Sequence, residues 1–234
     1  MAKYLISALS VFFPAYNEEK NIKKTVLDAK KVLLGTAENW EIIIVNDGSK
    51  DRTGEIAGQL VKGDVRIRVI SHFPNKGYGA ALKTGFKAVK YPWVAFTDAD
   101  GQFDFSEITK FLTKTGSADL ILGYRIKRAD SLARSLFAFG WALIPRILFG
   151  MNVKDYSCGF KLIKKEVFDS TQPLKGEEKV TQIEMLVKAK RKGFRFAEIG
   201  VHHFPREFGK QTGAKPKVVL KSALDLVKLW KKLR

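Results

Sequence analysis

Short apolar segments alternate with amphipathic segments along the first half of the chain, and this alternation restricts the fold more than any other feature. The apolar segments predict strands at residues 5–14, 41–46, 66–71, 94–98 and 119–124. The amphipathic segments between them predict helices at 18–34, 53–61, 79–89 and 106–115. Strands that are apolar on both faces and alternate with helices are typical of α/β proteins. We therefore predict a mostly parallel central sheet with helices on both faces.

The second half of the chain has a different pattern. A helix rich in Phe, Leu and Trp is predicted at 131–150, and a second helix at 180–192. A strand is predicted at 194–201 and a basic amphipathic helix at 216–232. No Pro-, Gly- or Ser-rich linker divides the sequence, and 234 residues suffice for one sizeable core. We predict a single domain over residues 1–234, in which residues 126–234 extend the first 125.

The charge of the chain is strongly unbalanced. Lys and Arg number 42 against 24 Asp and Glu, which gives a formal net charge of +18. Nine of the basic residues fall between residues 202 and 234, where only Glu207 and Asp225 oppose them. An excess of this size predicts an anionic partner, such as nucleic acid, an acidic membrane surface or a phosphorylated ligand.

Cysteine usage and hydropathy indicate the compartment. Cys158 is the only cysteine, which excludes an intrachain disulfide and favours a reducing, intracellular location. We interpret it as a small core residue. The most apolar stretch, 132–153, is interrupted by Arg134 and Arg146, and its uncharged part is shorter than the roughly 20 residues that a membrane-spanning helix needs. With no signal peptide recognised, we expect a cytoplasmic protein without a transmembrane helix.

Polar residues follow each of the predicted strands. Right-handed crossovers place the carboxyl ends of parallel strands along one edge of a sheet, where ligands of open α/β sheets bind. The residues that the pattern places at this edge include Asn17, Glu18, Asp47, Ser49, Asn75, Asp98, Asp100 and Arg125. The sequence therefore predicts the functional site at this edge.

Asp98 and Asp100 follow an apolar strand at this edge. Residues two apart in an extended chain point the same way, so both carboxylates are expected to leave the sheet together. Two hard oxygen ligands suit Mg²⁺ or Mn²⁺, which keeps its other positions for phosphate oxygens and water. Gln102 could add a carbonyl oxygen. The alternative is a pair of loop aspartates that cap the helix after Phe105.

Two further segments at the predicted edge have alternative interpretations. Asp47 could accept hydrogen bonds from a nucleobase or ribose, or it could belong to a turn before a helix. The glycine-rich segment 75–81 opens a helix, whose N-terminus could bind an anion. Close packing of the helix against the sheet would explain its glycines equally well.

Several basic residues are candidate contacts for phosphate, because Arg offers a bidentate fork and Lys a point charge. The candidates are Arg125, Arg128, Arg134, Arg206 and Lys210. His202 and His203 could contact metal or diphosphate, with an ordinary structural role as the alternative.

Six short motifs occur in order along the chain. They are Pro14-Ala15-Tyr16-Asn17-Glu18, Val45-Asn46-Asp47-Gly48-Ser49, Asn75-x-Gly77, Asp98-x-Asp100-x-Gln102, Gly123-Tyr124-Arg125 and Ser157-Cys158-Gly159-Phe160-Lys161. The ordered set resembles the family 2 glycosyltransferases with the GT-A fold, especially the dolichyl-phosphate and polyprenyl-phosphate sugar synthases such as dolichol-phosphate mannosyltransferase. The chain departs from the family pattern at Lys161, where the family often has Arg, and after Arg206, where a Ser-Lys pair is missing.

The resemblance implies inverting transfer of a sugar from a UDP- or GDP-linked donor, with Mg²⁺ or Mn²⁺ as cofactor. By matching motif, the nucleoside pocket is expected to be lined by Pro14, Tyr16, Glu18, Val45 and Asp47. The segment Asp98-Ala99-Asp100 is expected to bind the cation and the diphosphate, with Gln102 as a further metal ligand. Arg125 and Arg206 are expected to contact phosphates, and Arg125 is grouped with Asp98 and Asp100 as catalytic. Residues 1–125 would then bind the donor and 126–234 would build the acceptor side.

The acceptor is predicted from the chemistry that it needs. A sugar hydroxyl would need a general base, whereas a lipid monophosphate with a second pKa of about 6 would not. No dedicated base stands out in the sequence, which favours a polyprenyl-phosphate acceptor. Apolar faces rimmed by cations at 131–150 and 216–232 predict binding to the cytoplasmic face of an anionic membrane. For 216–232 the alternative is that the apolar face packs on the domain itself. A separate membrane-anchor protein is a further candidate partner.

Three other functions stay open at this point. A glycosyltransferase that uses a polysaccharide or glycan hydroxyl would share the same motifs. A sugar-nucleotide nucleotidyltransferase would share the fold, but it should carry a basic glycine-rich loop where this chain has Pro14 to Glu18. A nucleic-acid-binding protein would explain the charge of +18 but not the acidic residues at the sheet edge. We therefore predict no nucleic-acid partner.

Overall fold

The computed structural model describes residues 4–126, 143–209 and 216–233. Its strands are β1 (Ile6–Ala15), β2 (Ala37–Asn46), β3 (Ile67–Ser71), β4 (Trp93–Phe96), β5 (Leu120–Arg125), β6 (Lys161–Lys164) and β7 (Phe196–Val201). Its helices are α1 (Ile22–Thr36), α2 (Thr53–Gly63), α3 (Tyr78–Ala88), α4 (Ile108–Leu112), α5 (residues 143–149), α6 (Lys165–Ser170), α7 (Val180–Arg191) and α8 (Pro216–Leu233), with a 3₁₀ turn at Phe105–Glu107.

The strands form one sheet in the order β3-β2-β1-β4-β6-β5-β7. All neighbouring pairs are parallel except those that involve β6, which runs antiparallel to both β4 and β5. The register brings Ala15 of β1 beside Asn46 of β2, and Asn46 beside Ser71 of β3. The carboxyl ends of the parallel strands therefore meet at one edge, as the sequence predicted.

The sheet separates two hydrophobic cores, because successive side chains of a strand point to opposite faces. Val11 and Phe13 of β1 face a core that is closed by α1, α2 and α4. Phe12 faces the other core, which is closed by α3, α6, α7 and α8. Its ring lies 5.2 Å from that of Phe96 in β4 and 5.0 Å from that of Phe86 in α3. The alternation along β1 thus builds both layers of the fold.

The predicted elements agree with the structure within a few residues, with three differences. β4 ends at Phe96, so Asp98 and Asp100 lie in the loop after the strand. The helix predicted at 106–115 is a 3₁₀ turn followed by the short α4. β6 and α6 were not predicted, because β6 has only two apolar residues, Leu162 and Ile163, between two lysines.

The two segments that were predicted to meet a membrane are only partly described. Residues 127–142 lie outside the described part of the chain, and α5 begins at 143. In α5, Ile144 packs against the second core, whereas the side chain of Ile147 is 76% exposed. α8 buries Leu226 and Leu229 and exposes residues such as Leu224 and Val227. Among the helices described, none has the length and apolar character needed to cross a membrane.

Candidate active site

Asp98 and Asp100 lie at the carboxyl edge of the sheet, in the loop after β4. One oxygen of Asp98, Oδ1, accepts a hydrogen bond of 2.9 Å from the hydroxyl of Tyr78. Asp100 accepts one of 3.1 Å from the backbone N–H of Gln102 and contacts Nη1 of Arg206 at 3.4 Å. Burial and the negative charge of Asp98 raise the pKa of Asp100 to about 7. The two carboxylates are therefore close enough to repel each other.

Glu18 and Arg206 complete an electrostatic cluster with this pair. Nη2 of Arg206 lies 2.5 Å from Oε1 of Glu18, and both side chains are largely buried. Burial, with a contribution from the charge of Asp98, raises the pKa of Glu18 although Asn21 and Arg206 oppose the shift. The family resemblance assigned these residues three different roles: Glu18 in the nucleoside pocket, Asp100 in the metal site and Arg206 at a phosphate. In the structure they are direct neighbours.

The cluster fits a divalent cation in its chemistry. The charge of Asp98 contributes to the raised pKa of both Glu18 and Asp100, and the guanidinium of Arg206 contacts these two carboxylates. The described residues include no group of three or more His, Cys, Asp or Glu side chains arranged to hold a metal. Mg²⁺ is typically bound through one or two carboxylates together with phosphate oxygens and water. The donor set therefore suits a cation that arrives with a diphosphate.

Gln102 joins the loop that carries Asp98 and Asp100 to the segment that carries Arg206. Its side-chain amide donates to the carbonyl of Phe204 at 2.9 Å, and its own carbonyl accepts from the N–H of Phe204 at 2.9 Å. These bonds hold residues 202–206 next to Asp100. The predicted role of Gln102 as a metal ligand stays a prediction.

Asp47 is the centre of a hydrogen-bond network that sequence reasoning did not foresee. Oδ1 accepts from Nδ1 of His72 at 2.7 Å and from the N–H of Lys76 at 2.9 Å. Oδ2 accepts from the side chain of Asn75 and the N–H of Gly77, both at 2.9 Å. An ionised carboxylate offers about four acceptor sites. In this structure Asp47 uses them to shape the loop after β3, and its contact with a nucleoside stays a prediction.

The other residues predicted for the nucleoside pocket lie around the ends of β1 and β2. Pro14 and Val45 are partners in the register of these strands, and both are buried. Tyr16 is half-buried directly after β1. Ala99 is buried, and its carbonyl accepts a bond of 3.4 Å from Thr25. The strands thus bring these four residues to the same edge as the acidic cluster.

The glycines of the segment 75–81 serve close packing. A Cβ on Gly79 would lie 2.8 Å from the backbone nitrogen of Glu178 and 2.3 Å from Oγ1 of Thr181. Gly77 has φ of +88°, a conformation that L side chains rarely adopt. The start of α3 is thereby pressed against the loop before α7. Close packing therefore accounts for Gly79, but its partner is the loop before α7 and not the sheet, as the alternative to an anion site had expected.

Arg125 is held by an acidic partner that the sequence motifs did not indicate. Its Nε and Nη2 contact the two oxygens of Asp155 at 2.7 and 3.0 Å, and Nη2 donates to Ser157 at 3.2 Å. A bidentate pair of this kind fixes the guanidinium in place. Contact of Arg125 with a phosphate stays a prediction.

The remaining candidates have mixed outcomes. Nδ1 of His202 lies 2.9 Å from Oε1 of Glu107, and the backbone N–H of His202 donates to Oε2 of the same carboxylate at 2.9 Å. Cys158 is buried, as expected for a core residue, and burial raises the pKa of its thiol to about 11. Arg128, Arg134 and Lys210 lie outside the described residues.

Comparison with known proteins decides the family. Residues 10–171 match the family model described as glycosyl transferase family 2. The chain belongs to this family. It is 32% identical over 242 residues to a dolichyl-phosphate beta-glucosyltransferase of Trichomonas vaginalis, which covers 94% of this chain and 72% of the relative. It is 30% identical over 209 residues to an undecaprenyl-phosphate 4-deoxy-4-formamido-L-arabinose transferase of Salmonella choleraesuis, covering 87% and 62%.

Solved structures confirm the GT-A fold of this family 2 glycosyltransferase. Glucosyl-3-phosphoglycerate synthase from Mycobacterium tuberculosis, in complex with Mg²⁺ and UDP, superimposes with a TM-score of 0.72 at 19% identity. The superposition covers 96% of this chain and 80% of that one. A complex of the same enzyme with Mn²⁺, UDP and glucosyl-3-phosphoglycerate gives a TM-score of 0.69 at 21% identity.

The ionisation of Asp100 makes a pH-dependent prediction. Mn²⁺ is expected to raise the melting temperature more at pH 8 than at pH 6, because protons compete for Asp100 below its pKa of about 7.

Without metal, the contribution of Asp100 to the stability of the fold is expected to change with pH in the opposite direction and to fall as the pH rises. A carboxyl whose folded pKa lies above its ordinary value of 3.8 stabilises the fold most below about pH 4 and loses that contribution as the pH rises through 7. Thermal melts at pH 5, 6, 7 and 8, with and without Mn²⁺, measure both trends, and equal Mn²⁺ shifts at pH 6 and 8 would contradict them.

Proposed function

We propose that this chain transfers a sugar from a UDP- or GDP-linked donor to the phosphate of a polyprenyl phosphate, with Mg²⁺ or Mn²⁺ held at Asp98 and Asp100. The observation that carries the proposal is the buried cluster of Glu18, Asp98, Asp100 and Arg206 at the carboxyl edge of the sheet. The names of the relatives, which include dolichyl-phosphate and undecaprenyl-phosphate sugar transferases, support the acceptor. The complexes of the structural neighbours with UDP and a divalent cation support the donor and the metal.

The residues of this chain divide the work of binding and positioning. The nucleoside pocket is proposed to be lined by Pro14, Tyr16, Glu18, Val45 and Asp47. Asp47 is proposed to contribute by holding the loop 75–77 in place, since it accepts hydrogen bonds from the N–H groups of Lys76 and Gly77. A bound divalent cation supplies Lewis-acid stabilisation of the departing diphosphate. Arg206, which contacts Glu18 and Asp100, is proposed to donate to the diphosphate. Arg125, fixed by Asp155, is proposed to contact a phosphate on the acceptor side.

A phosphate acceptor agrees with the side chains around the acidic pair. Tyr78 is in hydrogen-bond contact with Asp98, and Arg206 with Asp100. Burial and the charge of Asp98 raise the pKa of Tyr78 well above 10, so its hydroxyl is not a base near neutral pH. Asp100 is proposed to hold the cation and is then not available as a base. A lipid phosphate with a second pKa of about 6 is already mostly dianionic and needs only to be positioned. A sugar hydroxyl would need a base.

The sugar and the location belong to the same proposal. The dolichyl-phosphate relatives are named for glucose and the undecaprenyl-phosphate relatives for 4-deoxy-4-formamido-L-arabinose, so glucose replaces mannose as the first sugar to test. The charge of +18 suits an anionic membrane, and α8 offers Leu224, Val227 and Lys228 on its exposed side. We propose a peripheral enzyme at the cytoplasmic face, with or without a separate anchor protein.

A combined donor and acceptor screen tests this function. UDP-glucose, other UDP-sugars and GDP-mannose are each supplied with Mn²⁺ to vesicles that contain a polyprenyl phosphate, and transfer is measured by release of the nucleotide and by mass of the lipid product. Vesicles with the matching polyprenol, which lacks the phosphate, are the control. We expect transfer only to the phosphate-bearing lipid. Transfer to soluble glycans but not to the lipid would favour the polysaccharide alternative.

Membrane binding is measured in the same system without a donor. The protein is expected to sediment with anionic vesicles at low salt and less at high salt, because ions screen the attraction. Equal sedimentation with neutral and anionic vesicles, or none at low salt, would contradict a surface held by charge.

A further inference from the structure

A chain of three hydrogen bonds runs from a buried lysine to the carboxylate of Asp98. Nζ of Lys161 donates to Oε1 of Gln182 at 2.6 Å. Nε2 of Gln182 donates to the hydroxyl oxygen of Tyr78 at 3.1 Å, and that hydroxyl donates to Oδ1 of Asp98 at 2.9 Å. All three bonds have the same donor-to-acceptor direction, from Lys161 towards Asp98, so each bond polarises the next.

Lys161 begins this chain as a buried group that is enclosed by hydrogen-bond acceptors. Its side chain is 0% exposed, and Nζ donates to the carbonyls of Tyr156 and Cys158 as well as to Gln182. An ammonium has three N–H donors, and three acceptors surround it here. A buried cation is costly unless other groups compensate for it. The negative charges of Asp155 and Asp98 favour the charged form of Lys161 and oppose the fall in its pKa that burial causes.

Asp98 is also confined from a second side. A Cβ on Gly159 would lie 2.5 Å from Oδ2 of Asp98, so the backbone of Gly159 packs directly against the carboxylate. Oδ1 is bound by Tyr78, at the start of α3. The carboxylate of Asp98 is thus bounded by the hydroxyl of Tyr78 at Oδ1 and by the backbone of Gly159 at Oδ2. Its orientation is therefore set by elements from both halves of the chain, α3 on one side and the segment before β6 on the other.

We propose that Tyr78, Gln182 and Lys161 are positioning residues that fix Asp98 in the orientation in which it binds the divalent cation. The proposal rests on the proposed role of Asp98 as a metal ligand. Partners that orient a ligating side chain typically contribute 10- to 100-fold to metal affinity or activity. A purely structural role would stabilise the fold and leave the metal affinity unchanged. The two roles therefore differ in a measurable way.

Tyr78→Phe is the variant that separates these roles, because it removes only the hydroxyl. Mn²⁺ binding is measured by electron paramagnetic resonance in the presence of UDP, which requires no turnover, and Mn²⁺ dependence of the rate is measured beside it. We expect affinity for Mn²⁺ to fall about tenfold or more, with much of the rate recovered at saturating Mn²⁺. Tyr156→Phe is the matched control, since its buried hydroxyl donates to the carbonyl of Met151 at 2.6 Å, outside the chain of bonds to Asp98.

Gln182→Met tests the second link of the chain. It leaves the bond from Tyr78 to Asp98 but removes the donor that polarises Tyr78, so we expect a smaller, several-fold loss of Mn²⁺ affinity. Affinity equal to wild type in this variant would remove Gln182 and Lys161 from the proposal. Unchanged affinity in Tyr78→Phe, or equal losses in Tyr78→Phe and Tyr156→Phe, would overturn it altogether. If the wild type binds Mn²⁺ neither with UDP nor with GDP, the proposed metal site fails and the positioning role fails with it.

Discussion

Asparagine in place of Asp100 is expected to abolish cation-dependent sugar transfer, with a fall in kcat on the order of 10³-fold, which corresponds to the several kcal/mol that a catalytic metal contributes. The protein should remain folded. In the absence of metal it should even gain stability near neutral pH, because the substitution removes one of three mutually repelling carboxylates. Rates across a Mn²⁺ titration and melting curves without metal measure the two effects.

Asp28→Asn is the matched control for this experiment. Asp28 is a carboxylate of α1 whose side chain is 56% exposed and pairs with Lys24 at 2.8 Å. The control should keep the cation dependence and rate of the wild type. A variant of Asp100 that turns over normally with unchanged cation dependence would remove Asp100 from the metal site.

Replacing Arg206 by Ala is expected to cost the metal-free protein about 3 kcal/mol or more of unfolding free energy. The guanidinium is 13% exposed and contacts two buried carboxylates, of Glu18 and Asp100. Removal of the guanidinium leaves the carboxylates of Glu18 and Asp100 without this positive partner. The loss costs more free energy of unfolding than the intact ion pairs contribute net. Mn²⁺ with UDP should recover part of the loss, because the cation neutralises the same carboxylates. Urea unfolding at pH 7.5, with and without Mn²⁺ and UDP, measures both quantities.

Arg52→Ala is the corresponding control at the surface. Arg52 pairs with Glu55 of α2 at 2.8 Å, and the two side chains are 70% and 50% exposed. Exposed ion pairs contribute little to stability, so this variant should unfold like the wild type. Equal changes in the two arginine variants would show that Arg206 does not neutralise a buried cluster. A double variant, Glu18→Gln with Arg206→Ala, should be more stable than Arg206→Ala alone.

Sequence reasoning predicted the sheet edge because the relevant signal is local. The mostly apolar run from Leu9 to Phe13 predicts a strand without reference to distant parts of the chain. The polar residues that follow such runs are then expected at the ends of the strands. The positions of Glu18, Asp47, Asp98 and Asp100 at one edge follow from this pattern and from the parallel connections. The GT-A fold, which the ordered motifs implied, is confirmed.

The partners of these residues could not be predicted because they come from distant parts of the chain. Glu18 and Arg206 are 188 residues apart, and Gln182 and Tyr78 are 104 apart. Lys161 shows the difficulty most clearly. A lysine in a short, weakly apolar segment indicates a surface, yet its ammonium is enclosed by backbone carbonyls and an amide. No period or motif encodes such an enclosure, which exists only after β6 and α7 are in place.

The position of β6 in the sheet affects how the chain folds during its synthesis. β6 lies between β4 and β5, although it follows both in the sequence, and the other neighbour of β5 is β7. While the ribosome releases the first 125 residues, β5 therefore has neither of its eventual neighbours, and β4 has one open side. Unpaired strand edges attract wrong partners, and pairings between distant segments form slowly. The nascent chain thus passes through a stage, lasting until residues 161–201 emerge, in which its sheet is exposed to misassembly and most in need of a chaperone.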